Sequence, residues 1–113
     1  MDTQIPIRIT SLEAAIAQAA NITVEQMRSH KRDRPLAEAR MAVWYIAHDH
    51  MGFSYLRIAK VYGRDHTTII SGVRKMRAGK AGKHILEGIR KAYPEILDQP
   101  APGEARTVEN WRF

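Results

Sequence analysis

At 113 residues without a cysteine, the chain fits one domain, large enough to bury a core unaided, with no disulfide framework or cysteine zinc site. The formal charge is +6 and the isoelectric point about 10.0, a surplus that favours a polyanionic partner. No apolar run approaches the ~20 residues that span a bilayer, and Met1-Asp2-Thr3-Gln4 lacks a secretory start, so no membrane association and a cytoplasmic location are expected.

Residues 1–10 are expected to form a flexible arm, interrupted by Pro6. Thr10-Ser11-Leu12-Glu13 fits a capping box that opens a helix carrying Leu12, Ala15, Ile16 and Ala19 at helical spacing and ending at Asn21. Thr23-Val24-Glu25-Gln26 is a second box, opening a short helix through Met27. Ser29-His30-Lys31-Arg32-Asp33-Arg34 has no apolar residue and reads as an exposed basic loop. Pro35 suits a helical first turn. Leu36, Ala39, Val43, Ile46 and Ala47 then mark the buried stripe of the longest helix, which Gly52 stops. Ser54 caps a helix over 54–62, anchored by Leu56, Ile58, Ala59 and Tyr62. Gly63 makes a turn, and Asp65 caps a helix over 65–77 with Ile69, Ile70, Val73 and Met76 inward. Gly79 and Gly82 interrupt before a last helix over 84–97 with Ile85, Leu86, Ile89 and Ile96, which Pro94 bends or cuts. The tail 98–113 is expected to be disordered. With no alternating strand pattern, the fold class is all-α: a bundle of about five to six helices over 11–97.

Helices over 54–62 and 65–77, joined through one glycine, have the connection of a helix-turn-helix. In that arrangement the first helix crosses a DNA backbone and the second enters the major groove. Gly63-Arg64-Asp65-His66-Thr67-Thr68 starts the second helix with short polar side chains that let it lie close to bases. Asp65 can accept from an exocyclic amine, and His66 can donate or accept at a base edge. The Thr67 methyl can pack on a thymine methyl. Thr68 suits a phosphate at the positive helix N-terminus. Arg64 either reaches a phosphate or braces the turn. The surrounding charge agrees: from Arg57 to Lys83 there are eight basic residues and one acid, Asp65. A second basic cluster, from Arg28 to Arg40, has five basic residues against Asp33 and Glu38.

The basic run Ser29 to Arg40, followed by Ile58-Ala59-Lys60-Val61-Tyr62-Gly63-Arg64-Asp65-His66-Thr67-Thr68-Ile69, resembles the C-terminal DNA-binding domain of the bacterial replication initiator DnaA in order and spacing. The likeness covers about residues 11–77. It implies a helical domain related to the Trp-repressor type of helix-turn-helix, binding a short A/T-rich element, the DnaA box, on double-stranded DNA. It further implies that Asp65, His66 and Thr67 read the major groove, that Arg32 enters the minor groove, and that Arg34 and Arg40 touch phosphates. A narrow A/T-rich minor groove has the enhanced negative potential that attracts an arginine. The chain departs from the family pattern in having one glycine before Arg64, His48 at a commonly basic position, and Tyr55-Leu56 where an apolar residue and Pro are common. These departures imply a tighter turn and a shifted target site.

Other patterns point elsewhere. His48-Asp49-His50 suggests a metal site, but side chains two apart on a helix diverge, so no metal is expected. No catalytic set is recognisable and no G-x-x-x-x-G-K-[ST] phosphate loop is present, so no enzyme activity and no cofactor are expected. The tract Arg74 to Lys83 either meets phosphates or is a solvated helix end. The last helix either completes the core or offers an oligomer face, with a monomer favoured. Trp111 and Phe113 either offer an anchor for a protein partner or fold back or stay disordered. The expected function is sequence-specific duplex binding as a replication or transcription regulator. The alternatives are a protein-interaction module that keeps the fold, and a non-specific nucleoid-type binder relying on charge.

Overall fold

The computed structural model describes residues 7–93, with side chains from Ile9 onward; residues 1–6, Pro94, Ile96 and the tail with Trp111 and Phe113 lie outside that range. Six helices follow one another: α1 (Ile7–Ala20), α2 (Val24–Arg28), α3 (Arg34–Asp49), α4 (Tyr55–Tyr62), α5 (His66–Arg77) and α6 (Lys83–Ala92). No strand occurs among the described residues, and the fold is an all-α bundle with a helix-turn-helix.

The central helix is α3. Its stripe of Ala39, Ala42, Val43, Ile46 and Ala47 is fully enclosed, with α1 and α5 packed against it. Burying each large aliphatic side chain contributes roughly 1.5–3 kcal/mol, so such a stripe fixes the helix in place. Ile58 of α4, Ile69 and Val73 of α5, and Ile85 and Ile89 of α6 meet the same core. The α3–α5 crossing is close because Gly72 faces Trp44. A Cβ at Gly72 would sit 2.7 Å from Trp44 Cε3 and 2.9 Å from Met41 Cγ.

Local signals place most helix ends. Thr23 and Gln26 form the reciprocal capping box of α2, with bonds of 2.9 and 3.0 Å. The Ser54 hydroxyl accepts the Arg57 N–H at 3.1 Å and opens α4. Gly63 ends α4 in the left-handed conformation (φ 61°), where a side chain would be strained.

The structure corrects three expectations. The first helix starts at Ile7, so the last four residues of the expected arm are helical, and Thr10 is an interior residue rather than a cap. Ile9, Leu12 and Ile16 are all buried, so one apolar stripe carries the helix through the apparent box. Leu56, expected as an anchor, is 65% exposed, because the inward stripe of α4 is Tyr55, Ile58, Ala59 and Tyr62. Ala19 also lies at the surface, and Ala17 takes the inward position.

Candidate nucleic-acid interface

The turn from α4 to α5 consists of Gly63, Arg64 and Asp65. Asp65 takes the N-cap position in an extended conformation (φ −65°, ψ 140°), and its carbonyl accepts the Thr68 N–H at 3.0 Å. Its carboxylate makes no capping bond, contrary to expectation. Instead it accepts the Thr67 hydroxyl at 2.9 Å, with His66 Nδ1 3.5 Å away. The Thr67 hydroxyl is the main cause that holds the Asp65 carboxyl below its ordinary range, and His66 adds to it. Asp65 is therefore ionised at neutral pH and only accepts. His66, Thr67 and Thr68 are exposed beside it. The first turn of α5 thus displays an acceptor, a donor-or-acceptor ring and two hydroxyls, a set suited to base edges and phosphates.

The basic loop, residues 29–33, connects α2 to α3. His30, Lys31, Arg32 and Asp33 are exposed. Arg34 begins α3, 84% exposed at its side chain, and lies 3.5 Å from Glu38 one turn on. A surface pair of this kind contributes little and leaves the charge available.

Arg40 and Arg64 are placed differently. Arg40 is 4% exposed; its Nε donates to the Met27 carbonyl at 2.7 Å and its Nη2 to the Ser29 carbonyl at 2.6 Å. The expected phosphate contact does not suit this placement, because the guanidinium is occupied inside the fold. Arg64 Nη2 donates to the same Ser29 carbonyl at 3.1 Å. This bond has the geometry of the brace, one of the two roles expected of Arg64.

Three further residues complete this junction, none of them expected from the sequence to act together. Glu13, 2% exposed, accepts from Arg28 Nη2 at 3.0 Å and from the Tyr62 hydroxyl. The Arg28 guanidinium lies over the Tyr62 ring, 5.3 Å from its centre. Burial, and then Glu13, push the Tyr62 hydroxyl well above its ordinary range, so it stays a neutral donor. The signal for this group was a carboxylate lodged between Leu12 and Ile16 on a buried stripe.

His48, Asp49 and His50 do not converge. His48 is enclosed, with Nδ1 2.9 Å from the Phe53 carbonyl and its ring stacked on Tyr55 at 3.9 Å. Asp49 takes both ends of the Arg77 guanidinium, at 2.9 and 2.6 Å. Among the described residues no group of three His, Cys, Asp or Glu side chains could hold a metal ion. No helix among them is long and apolar enough to cross a membrane.

The family model of the bacterial DnaA protein helix-turn-helix matches residues 9–76, from the stripe of α1 to the end of α5. The chain belongs to the bacterial DnaA helix-turn-helix family. The chromosomal replication initiator protein DnaA of Mycobacteroides abscessus is 32% identical to it over 77 residues, which is 68% of this chain and 16% of the relative. The chain therefore spans about a sixth of the length of that DnaA protein. The match to the DnaA helix-turn-helix takes in α1 to α5 and stops short of α6.

Proposed function

We propose that this chain binds double-stranded DNA sequence-specifically at DnaA-box-like sites, as a regulator of replication or transcription. The observation that carries the reading is the exposed polar first turn of α5 in a DnaA-type helix-turn-helix. Asp65, His66 and Thr67 read base edges in the major groove, and Thr68 meets a phosphate. Arg32 enters the adjacent minor groove and Arg34 lies on a phosphate. The 113 residues contain no phosphate loop, so we assign them occupancy of a DNA site and no nucleotide turnover.

The test is a fluorescence-anisotropy titration at fixed salt. It compares a duplex carrying a DnaA box with a scrambled duplex of equal composition, using wild type and His66→Ala. Wild type is expected to prefer the box by at least ~10-fold, about 1.4 kcal/mol, and His66→Ala to lose that preference. Equal binding to both duplexes would support the charge-only binder or a different target, which selection from random duplexes would separate. No binding at low salt would remove the DNA reading and favour the protein-interaction module.

A further inference from the structure

We propose that Arg64 and Arg40 are positioning residues that set specificity: by meeting at the Ser29 carbonyl they hold the basic loop in register with α5, so that Arg32 and His66 engage one duplex together. The proposal rests on the DNA-binding reading above and adds a division of labour among its arginines. Arg32 and Arg34 face outward to the polyanion, while Arg40 and Arg64 face inward and fix where the loop points.

The geometry supports this in three ways. Ser29 caps the end of α2 and is the root of the loop. Arg32 is three residues further on, a reach of at most ~11 Å, so fixing Ser29 confines Arg32. Arg64 belongs to the helix-turn-helix turn, directly before the Asp65 cap and two residues before His66. One hydrogen bond, between residues 35 apart in sequence, therefore joins the roots of the two reading elements. Arg40 makes the joint rigid, since its Nε and Nη2 hold the Met27 and Ser29 carbonyls as a fork.

The Arg64 head group is also turned inward. Its Nε is closed from solvent and has no hydrogen-bond partner among the described residues, which does not fit a side chain extended toward a phosphate. Two guanidinium groups at one carbonyl repel each other. Burial, and next the nearby Arg64, lower the affinity of Arg40 for its proton, while Tyr62 and Asp33 oppose the shift. A phosphate backbone lying over the loop would offset the repulsion, so DNA favours the braced arrangement.

The test combines a binding cycle with amide hydrogen exchange of the free protein, using Arg64→Ala, Arg64→Lys, Arg32→Ala and the Arg64→Ala/Arg32→Ala pair. Arg64→Ala is expected to weaken box binding by about tenfold while leaving scrambled-duplex affinity and the salt slope unchanged. With Arg32 already removed, the same change is expected to cost less than about twofold, because the brace acts through that residue. In free protein, exchange at Met27 and Ser29, whose N–H groups are bonded to the Thr23 and Gln26 carbonyls, is expected to rise by about tenfold in both Arg64 variants, since Lys keeps the charge without the planar fork. Should Arg64→Ala fail to fold, Arg64→Lys carries the same comparison.

Equal loss on both duplexes with a slope reduced by about one would make Arg64 a phosphate ligand and overturn the proposal. Unchanged exchange at Met27 and Ser29 would also overturn it. A wild type that does not discriminate between duplexes would instead remove the DNA reading; the exchange measurement would still decide whether Arg64 orders the loop.

Discussion

A carboxylate only 2% exposed needs partners, and Glu13 has the Arg28 guanidinium and the Tyr62 hydroxyl, which tie α1 to the end of α2 and to the first helix of the helix-turn-helix. Replacing Glu13 with Ala would leave a half-buried cation and a buried hydroxyl without their acceptor. The expected loss is about 2–4 kcal/mol of stability, read by urea denaturation with an unchanged m-value. Glu13→Gln is expected to lose less, because an amide oxygen still accepts one bond. If Glu13→Ala unfolds within ~0.5 kcal/mol of wild type, the three side chains are bystanders. The exposed polar turn of Asp65, His66, Thr67 and Thr68 and the exposed loop carrying Arg32 were legible in the sequence, because small polar or basic side chains stand at a helix start or in an apolar-free loop. Glu13 was misread because a Thr and a Glu three apart satisfy the capping pattern whether or not a helix starts there. The phosphate contact expected of Arg40 came from the family resemblance, which does not reveal that its guanidinium here folds onto the Met27 and Ser29 carbonyls.

The helix-turn-helix was legible almost to the residue, since Ser54 and Gly63 punctuate the chain by local preferences and Asp65 takes the N-cap position, though without a side-chain capping bond. Closeness between elements was not legible, because it depends on which faces meet. Gly72 reads as a helix-weakening residue, yet it lets α5 approach Trp44 of α3. Gly72→Ala gains helix propensity of up to ~1 kcal/mol, but a methyl group 2.7 Å from the indole forces ring or helix to move, typically costing 1–3 kcal/mol. A net destabilisation of about 1 kcal/mol is expected, lowering the melting temperature by roughly 4–8 °C. Because α5 is the proposed reading helix, the same variant is expected to weaken box binding more than scrambled-duplex binding. A melting temperature at or above wild type would mean that the ring yields freely and that the crossing is not set by this contact.

The charge of the whole molecule divides once the inward arginines are set apart. Arg40 and Arg64 hold a carbonyl, Arg28 holds Glu13, and Arg77 is clasped by Asp49, whose two bonds raise its affinity for the proton. Arg32 and Arg34 remain exposed near the loop, and Arg74, Lys75 and Lys80 at the end of α5 and beyond it. A cation on a phosphate releases counterions, so each contact steepens the salt dependence of binding by about 0.9 without carrying sequence information. Replacing Arg74, Lys75 and Lys80 with Gln is therefore expected to lower the slope by about two to three, weaken both duplexes alike, and leave their affinity ratio unchanged. Arg77→Gln is expected to act chiefly on stability through the lost Asp49 pair, with little effect on the slope. Titrations at three salt concentrations separate these outcomes. A ratio that falls along with the slope would mean that the tract helps select the sequence, whereas an unchanged slope would make it the solvated end of a helix.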